Sequence, residues 1–253
     1  MINNTFGRIA ASSLLLAATS LLLPITASAQ EDERTFSIVR TIHVKPSSVS
    51  DFVELQKQLN EAGKAAGQQG RGVWQEIRGD LATFYVVERV ENFAQYDEEF
   101  TPPMDEDDWA AWVEAIGETI NSASRTIMRT HREYSIPADE DSTPSLLILR
   151  RTSIAPGKGG DFHDWLEEKL VPALKEGGAK GVTFSHVAFG GSTDQWVSAS
   201  RIDNWADLDE PGPLAGLSDE EREALFEDWG EMVWGSDVRI LRFREDLSRR
   251  SPE

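Results

Sequence analysis

The sequence predicts an α+β protein made of two consecutive βαββαβ units. Strand and helix patterns occur in this order twice along the chain, and a collinear set of residues recurs, such as Arg40 and Arg150, which are 110 positions apart. The 253 residues are 40% hydrophobic and 27% charged, a composition typical of a globular protein with enough length for a sizeable core. We therefore expect two copies of one unit.

The repeat rests on the order of many short matches. The segment ERVENFAQYDE at 88–98 resembles SRIDNWADLDE at 200–210, a separation of 112 positions. Closer to the N-terminus the separation is 110, because Asp51-Phe52 matches Asp161-Phe162. The predicted organisation is a first unit at 35–135, a linker at 136–144 and a second unit at 145–247.

In the first unit, β-branched runs bounded by proline or glycine predict strands, and apolar residues at helical spacing predict helices. Pro46 closes the first strand, Ser50 is expected to cap the first helix, and Gly79-Asp80 marks a hairpin. The predicted elements are a strand at 36–44, a helix from Ser50, strands at 73–78 and 83–90, a helix opening at 105–108, and a strand at 126–133.

The second unit repeats this order. Gly190-Gly191 takes the place of the hairpin glycine, and Pro172 is expected to kink or divide the first helix because proline cannot donate a helical hydrogen bond. The predicted elements are a strand at 146–154, a helix at 161–176, strands at 182–189 and 195–202, a helix at 218–233, and a strand at 238–245.

A βαββαβ unit with both helices on one face of its sheet is a ferredoxin-like plait. The opposite face, rich in Val, Ile and Leu, must also be buried. Two units in one chain can bury these faces against each other, sheet to sheet. This arrangement is compatible with a monomer or a homodimer.

Both units open with an arginine, an aliphatic residue four positions later, a proline, and an Asp-Phe pair at the start of the helix. These residues are Arg40, Val44, Pro46 and Asp51-Phe52, then Arg150, Ile154, Pro156 and Asp161-Phe162. Together with the element order, this pattern resembles the dimeric α/β-barrel superfamily in a fused tandem form. The resemblance implies a ligand pocket between the sheet and its two helices. It also implies a range of functions: cofactor-independent oxygenases, cyclases, isomerases and haem-handling proteins.

The charge balance excludes several partners. The chain has 44 acidic and 25 basic residues, a net charge of −19. Nucleic-acid binding and attraction to an anionic membrane both need a basic surface, so neither is expected. The chain has no cysteine, which excludes disulfides, thiolate catalysis and cysteine-based metal sites.

Residues 1–29 are predicted to be a signal peptide. Arg8 precedes an apolar run, and Ala27-Ser28-Ala29 has the small-x-small pattern of a cleavage site. The alternative, an uncleaved anchor, is disfavoured because Pro24 interrupts the run, which is shorter than the roughly 20 residues needed to span a bilayer. We expect an exported protein, periplasmic or secreted, with no membrane association after cleavage.

Histidines are the first candidate site residues. His186 shares a predicted strand face with Val182 and Phe184, which makes it the candidate catalytic base, and the alternative is a half-buried structural histidine. His163 replaces Val53 of the first unit and is a candidate ligand contact, with a plain surface position as the alternative. His131 is expected in a structural role where the units meet.

Arg150, Trp74 and Phe184 complete the predicted ligand site. Arg150 lies on a strand and suits a carboxylate or phosphate, whereas the alternative is cross-strand Arg–Glu pairing that fixes how the units dock. Trp74 alternates with Val73, so it is predicted to face away from the main core and to be the best pocket aromatic. Phe184 is expected to form a pocket wall.

No metal or cofactor is predicted. No histidine has another His, Asp or Glu at the spacing of a metal motif. Haem-handling members of the superfamily typically ligate iron through a histidine on a helix, and the second helices at 107–122 and 218–233 contain none.

Three functions remain open at this point. The first is an exported protein that binds a small apolar or aromatic molecule without transforming it. The second is a cofactor-independent oxygenase, cyclase or isomerase with His186 as its base. The third is a protein-interaction module that presents sheet edges and an acidic surface. The absence of a paired catalytic constellation favours binding, and the sequence does not decide whether the protein is an enzyme.

Overall fold

The computed structural model describes residues 35–97, 99–138, 143–209, 214 and 216–251. The predicted signal peptide at 1–29 and part of the predicted linker lie outside the described residues. No helix in the described part of the chain is long and apolar enough to cross a membrane.

The elements follow the predicted order of strands and helices. The first half contains β1 (Thr35–Val44), α1 (Val49–Ala65), β2 (Gly72–Arg78), β3 (Thr83–Val90), α2 (Glu106–Thr119) and β4 (Ile120–Ile136). The second half contains β5 (Leu146–Ile154), α3 (Gly159–Trp165), α4 (Val171–Glu176), β6 (Val182–Phe189), β7 (Gln195–Ile202), α5 (Asp219–Leu225), α6 (Trp229–Met232) and β8 (Val233–Phe243).

The strands form one closed antiparallel barrel in the order β1-β3-β2-β8-β5-β7-β6-β4. The two halves join where β2 pairs with β8 and where β4 pairs with β6. The α+β class is confirmed. The expected sheet-to-sheet contact takes the form of a single barrel, because each edge strand hydrogen-bonds to the other half instead of staying exposed.

The face of the sheet away from the helices holds charged groups that pair across the two halves. Glu76 is 2% exposed, and its carboxylate accepts hydrogen bonds from Tyr85 Oη at 3.2 Å and from the Asp80 amide at 2.6 Å, while Arg239 Nε lies 3.0 Å from it. Burial together with the nearby Glu76 charge raises the pKa of Tyr85 to about 12. A buried carboxylate needs partners of this kind.

The β2–β3 hairpin depends on the glycine that the sequence singled out. Gly79 has φ +123°, a conformation that residues with a Cβ rarely adopt. A Cβ at this position would also collide with Glu76 Oε1, which accepts the Asp80 amide. The predicted Gly79-Asp80 turn is therefore confirmed.

Two clusters of buried apolar residues lie between the helices and the barrel, one in each half. The first includes Phe52, Phe84 and Leu247, which are all fully buried. The second includes Phe162, Leu166 and Trp196, and it carries more aromatic rings. Burial of such side chains contributes roughly 1.5–3 kcal/mol each.

Several element boundaries differ from the predictions. Helix α1 begins at Val49 with Ser48 before it, and no serine side chain caps it. Strand β4 is longer than the predicted 126–133, because it pairs with both β1 and β6. The helix predicted at 218–233 is divided into α5 and α6, and β8 begins at Val233 because pairing with β5 starts there.

Pro172 divides its helix as predicted. A π-helical turn, Leu166–Leu170, lies between α3 and α4, and Pro172 occupies the first turn of α4. Since proline has no amide hydrogen to donate, the regular α-helical ladder cannot run through this position. The wider turn sits directly beside the candidate site described below, a common location for such turns.

Candidate functional site

The second half encloses a cavity of about 490 Å³ between the helix-facing side of the barrel and helices α3 to α6. Its wall is mainly apolar, and six of the lining side chains are aromatic. The rings that line it are Phe162, Trp165, Phe184, Trp196, Phe226 and Trp229. Its size and lining are typical of pockets for small organic molecules.

Strand and helix periodicity place these side chains in the wall. Val182 and Phe184 alternate along β6, so both face the helices. Phe162 and Trp165 are three residues apart on α3 and therefore face the sheet together. Trp165 Nε1 donates a hydrogen bond to the Leu225 carbonyl at 2.9 Å, which ties α3 to α5 above the cavity.

Arg150 is the one positively charged residue among the described lining residues. It lies on β5 with Ser198 and Val238 as its cross-strand partners. Its Nη1 donates a long hydrogen bond of 3.4 Å to Ser236 Oγ, and within the described part of the chain no carboxylate pairs with it. Burial lowers the pKa of Arg150, yet the guanidinium stays protonated at neutral pH.

A cluster of three histidines surrounds Trp196 at the edge of this cavity. The ring centroids of His131, His163 and His186 lie 4.7, 5.0 and 5.4 Å from that of Trp196. His131 is 3% exposed and lies on β4, whereas His186 is half-buried on β6. The pairing of β4 with β6 brings these two strands, one from each half, together.

Two short hydrogen bonds connect Glu133, His131 and His186 into a chain. His131 Nδ1 lies 2.7 Å from Glu133 Oε1, and His131 Nε2 lies 2.7 Å from His186 Nδ1. Since an ionised carboxylate only accepts, we assign the hydrogen of His131 to Nδ1. His131 Nε2 then accepts from His186 Nδ1, which leaves His186 Nε2 with a free lone pair.

The surroundings keep His131 and His186 neutral. Burial lowers the pKa of His131, outweighing the hydrogen bond to Glu133 that raises it. Burial, followed by the charges of His131, Arg129 and His163, lowers the pKa of His186 to about 4. Burial tends to raise the pKa of Glu133, but the hydrogen bond from His131 lowers it overall, so this carboxyl is ionised at neutral pH.

His163 lies within the cluster and is half-buried on α3. Its Nδ1 is 3.1 Å from Tyr134 Oη, and its ring meets Trp196 edge to face. Burial raises the pKa of Tyr134. The two side chains link the end of β4 to the helix that covers the cavity.

The structure brings together most of the predicted site residues but not all of them. Arg150 and Phe184 line the cavity, and His163 and His186 lie at its edge around Trp196. Trp74 is elsewhere. It faces away from the helices, as its alternation predicts, packs on Phe243 at 5.0 Å, and lines a separate space bounded by the ends of the predicted linker.

Sequence reasoning missed His131 and Trp196 as site residues. Trp196 alternates with Ser198 and Ser200 on β7, a pattern that could have indicated a face toward the helices. His131 was expected in a structural role where the halves meet. It does lie at that junction, but only the β4–β6 register shows that His186 is its hydrogen-bond partner.

The residues present do not fit haem in the mode that the resemblance implies. The helices at the place of its histidine ligand are α2 in the first half and α5 and α6 in the second, and none contains a histidine. Within the described ranges, no group of three or more His, Cys, Asp or Glu side chains is placed to hold a metal ion.

Comparison with known proteins gives similarity of structure only. No protein-family model and no curated protein matches the chain. An anthrone oxidase-like protein superposes with a TM-score of 0.61 at 13% identity over 88% of this chain and 95% of that one. A proposed monooxygenase from Fusobacterium nucleatum gives 0.58 at 10% identity over 87% and 99%.

A second proposed monooxygenase, from Lactobacillus acidophilus, gives a TM-score of 0.55 at 11% identity over 87% of this chain and 97% of that one. At such identities the likeness establishes the fold and not the reaction. The eight-stranded antiparallel barrel, the helices outside it and these neighbours agree. The chain has the dimeric α/β-barrel fold.

Proposed function

We propose that this protein binds a small molecule with an aromatic or apolar body and one acidic group in the cavity of its second half. The observation that carries the proposal is an aromatic cavity with a single charged lining residue, Arg150, that no described carboxylate neutralises. A ligand carboxylate would form a charge-assisted hydrogen bond with the planar guanidinium.

The size and chemistry of the wall support an aromatic ligand. A volume of about 490 Å³ lies within the range of small-molecule sites. Flat rings such as Trp196 and Trp229 offer stacking surfaces, and the hydroxyl groups of Ser198 and Ser200 offer hydrogen bonds beside Arg150. The structural neighbours carry the names of enzymes that act on small molecules, which is consistent with this class of ligand.

We further propose that the chain is a tandem of two ferredoxin-like units, at 35–135 and 145–247, joined by the linker at 136–144. Export to the periplasm or the medium after cleavage before Gln30 is part of the same proposal, as is a monomeric or homodimeric state. The order of elements in the two halves supports the tandem. Native mass spectrometry of the protein from the exported fraction of its host measures the mature N-terminus, the oligomeric state and any bound mass together.

Calorimetric titration with 2-naphthoate and 2-naphthamide tests the ligand class. These probes have nearly the same size, but only the first is an anion. We expect tighter binding of naphthoate, and Arg150→Gln should reduce its affinity by about tenfold or more while leaving the amide unaffected. The matched control is Arg89→Gln, an exposed arginine on β3 of the other half. Equal affinity of the wild-type protein for both probes would contradict the proposal.

An enzymatic role is the second candidate function. The observation that favours it is the hydrogen-bonded chain Glu133–His131–His186, which leaves a free imidazole nitrogen at the edge of the cavity. A cofactor-independent oxygenase, cyclase or isomerase would need such a base. No described feature specifically favours the third hypothesis, a protein-interaction module.

A further inference from the structure

Arg150 and His186 offer different chemistry to a molecule bound in the cavity. Arg150 and Ser198 are cross-strand partners, and Ser198 is in turn the partner of Phe184. His186 comes two residues after Phe184 on the same face of β6 and is the partner of Trp196. Arg150 therefore lies in the cavity lining, the His186 imidazole lies beside Trp196 at the edge of the cavity, and aromatic side chains lie between them.

The distance between Arg150 and His186 suits a ligand with one aromatic ring. Arg150 and His186 are two strands apart laterally and one side-chain step apart along the strand. With about 4.8 Å between strands and about 6.8 Å per two residues, their Cα atoms are roughly 12 Å apart. The Arg150 guanidinium donates to Ser236 on β8, on the side of β5 away from β6, so a molecule that contacts both Arg150 and His186 carries its two polar groups on opposite sides of its aromatic body.

We propose that the chain Glu133–His131–His186 is a proton relay and that His186 Nε2 takes the proton of a second, acidic O–H group on the molecule bound at Arg150. This inference rests on the proposed function. The proton moves from the ligand oxygen to Nε2, and the electron pair of the broken O–H bond stays on the oxygen as a negative charge. The transfer needs no oxidant, reductant or other reactant.

His131 and Glu133 stabilise the product of this transfer. The positive charge that forms on His186 is shared through Nδ1 with His131, whose own Nδ1 hydrogen bonds to the ionised Glu133. His131 and Glu133 are thus positioning residues, and His186 is the group that touches the ligand. Because Glu133 is more than half exposed, its charge can change without unfolding the core.

The groups around His186 decide which acids it can deprotonate. His131 and Arg129 face it from β4, and His163 faces it from α3. These neighbours, after burial itself, make the imidazole a weak base that is unprotonated and ready to accept at neutral pH. A weak base matches an acidic O–H group and not a C–H group. The nearby Arg129 charge also favours the oxyanion that forms.

Absorbance spectroscopy with 4-hydroxy-3-nitrobenzoate tests the proposal, because its phenolate absorbs at a longer wavelength than its phenol. The control probe, 3-nitrobenzoate, lacks the hydroxyl group and keeps the carboxylate. We expect both to bind, and we expect the phenol of the first to ionise at a pH about one unit lower in the complex than in water. The pH profile of the bound probe is the measured quantity.

Three variants assign the effect to the relay. His186→Gln should abolish the shift in the ionisation of the bound phenol, and His131→Asn and Glu133→Gln should each reduce it by about half a unit or more. Glu176→Gln is the matched control, since it removes an exposed carboxylate from the end of α4 and should leave the profile unchanged. Binding of 3-nitrobenzoate should be the same in all four.

The outcomes separate this inference from the proposed function. If both probes bind and the ionisation profile is the same in the wild type and in all variants, the relay is wrong while the ligand site stands. If neither probe binds, the proposed function fails, and the relay fails with it. Nitrogen-15 NMR of the ligand-free protein adds an independent measurement: a hydrogen on Nε2 of His186 at neutral pH would overturn the tautomer on which the relay depends.

Discussion

The two halves of the barrel share an element order but differ in the charges between helix and sheet. In the first half Arg40 pairs with Glu88 at 2.7 Å. In the second half Arg150 occupies the matching position, and Ser200 occupies the position of the glutamate, 112 residues after Glu88. The same arginine is neutralised within the chain in one half and is available to a ligand in the other.

The side chains that the covering helix turns toward the sheet also differ between the two halves. Gln56 and Asn60 are buried on the sheet-facing side of α1, and Asn60 Nδ2 donates to the Ser248 carbonyl at 2.9 Å. The second half has Leu166 where the first has Gln56, 110 residues earlier. Leu247, from the segment after β8, completes the first core. Side chains, and not the fold, decide which half carries the site.

The largest expected effect separates a filled core from a cavity wall. Phe52 is fully buried and packs on Phe84 at 4.8 Å, whereas Phe162 lines the cavity. We expect Phe52→Ala to lower the free energy of unfolding by about 3–5 kcal/mol and Phe162→Ala by about 2 kcal/mol, since part of the Phe162 surface already borders open space. Urea unfolding followed by circular dichroism measures both. Equal losses would mean that the two halves are packed alike.

The second prediction converts the second half to the charge pattern of the first. Ser200→Glu places a carboxylate beside Arg150, where it should form the pair that Arg40 and Glu88 form. We expect the affinity for 2-naphthoate to fall by about tenfold to a hundredfold, because the ligand must displace an internal anion. Ser192→Glu adds the same charge at an exposed position and should have little effect in the same calorimetric titration. Unchanged affinity in Ser200→Glu would remove Arg150 from the site.

The third prediction concerns pH, because the histidine cluster lies beside the cavity of the second half. His186 has a pKa of about 4 in the folded protein and an ordinary value of 6.5. The contribution of His186 to the free energy of unfolding is fully present above pH 6.5. As pH falls below 6.5, the unfolded chain binds a proton that the folded protein does not, so the stability decreases until about pH 4. After allowance for solvent screening we expect a loss of about 1–2 kcal/mol.

Urea unfolding at pH 7 and pH 5 measures this loss. The comparison variant is His186→Gln, which cannot titrate in this range and should lose less stability between the two pH values. His131 acts in the same direction, since burial also lowers its pKa. An equal pH dependence in the wild type and the variant would show that other groups cause it.

The smallest expected effect is a gain of stability in the first half. Gln56 is 4% exposed, and its Oε1 atom has no hydrogen-bond partner in the described structure. Gln56→Leu, which copies Leu166 of the second half, should raise the free energy of unfolding by about 1 kcal/mol because a buried unpaired oxygen is replaced by apolar surface. Thermal and urea unfolding measure the gain. A loss of stability would indicate that this oxygen has an ordered water partner.

Local patterns in the sequence were sufficient for most of the secondary structure. Runs of β-branched and apolar residues indicated the bounds of β3, β5, β6 and β7, and Gly79 and Pro172 marked the turn and the divided helix. Local patterns were insufficient where the two partners of a strand are staggered, as at β4, which pairs with β1 over 120–130 and with β6 over 127–136. Strand β4 extends beyond its predicted range because it pairs with β1 on one side and β6 on the other, and no local pattern encodes the second pairing.

The candidate site also shows what local sequence patterns can and cannot predict. His186 was singled out as a titratable group on an apolar strand face, His163 as a replacement of Val53, and Arg150 as a strand arginine suited to an anion. Together with Phe184, they lie in or beside one cavity. Trp74 was chosen because its alternation with Val73 turns it away from the core, and it faces the other side of the sheet. A face can be deduced from a period of two, but which cavity that face borders depends on the layer packed against it.

By itself the sequence determined the order of strands and helices, their faces and the residues that stand out on them, because these follow from backbone geometry over a few residues. Only the tertiary structure decided that β4 meets β6, so that His131, which bonds to Glu133 of its own half, also bonds to His186 of the other half. Barrel closure sets this register through contacts between residues 55 positions apart, beyond the range of any local periodicity.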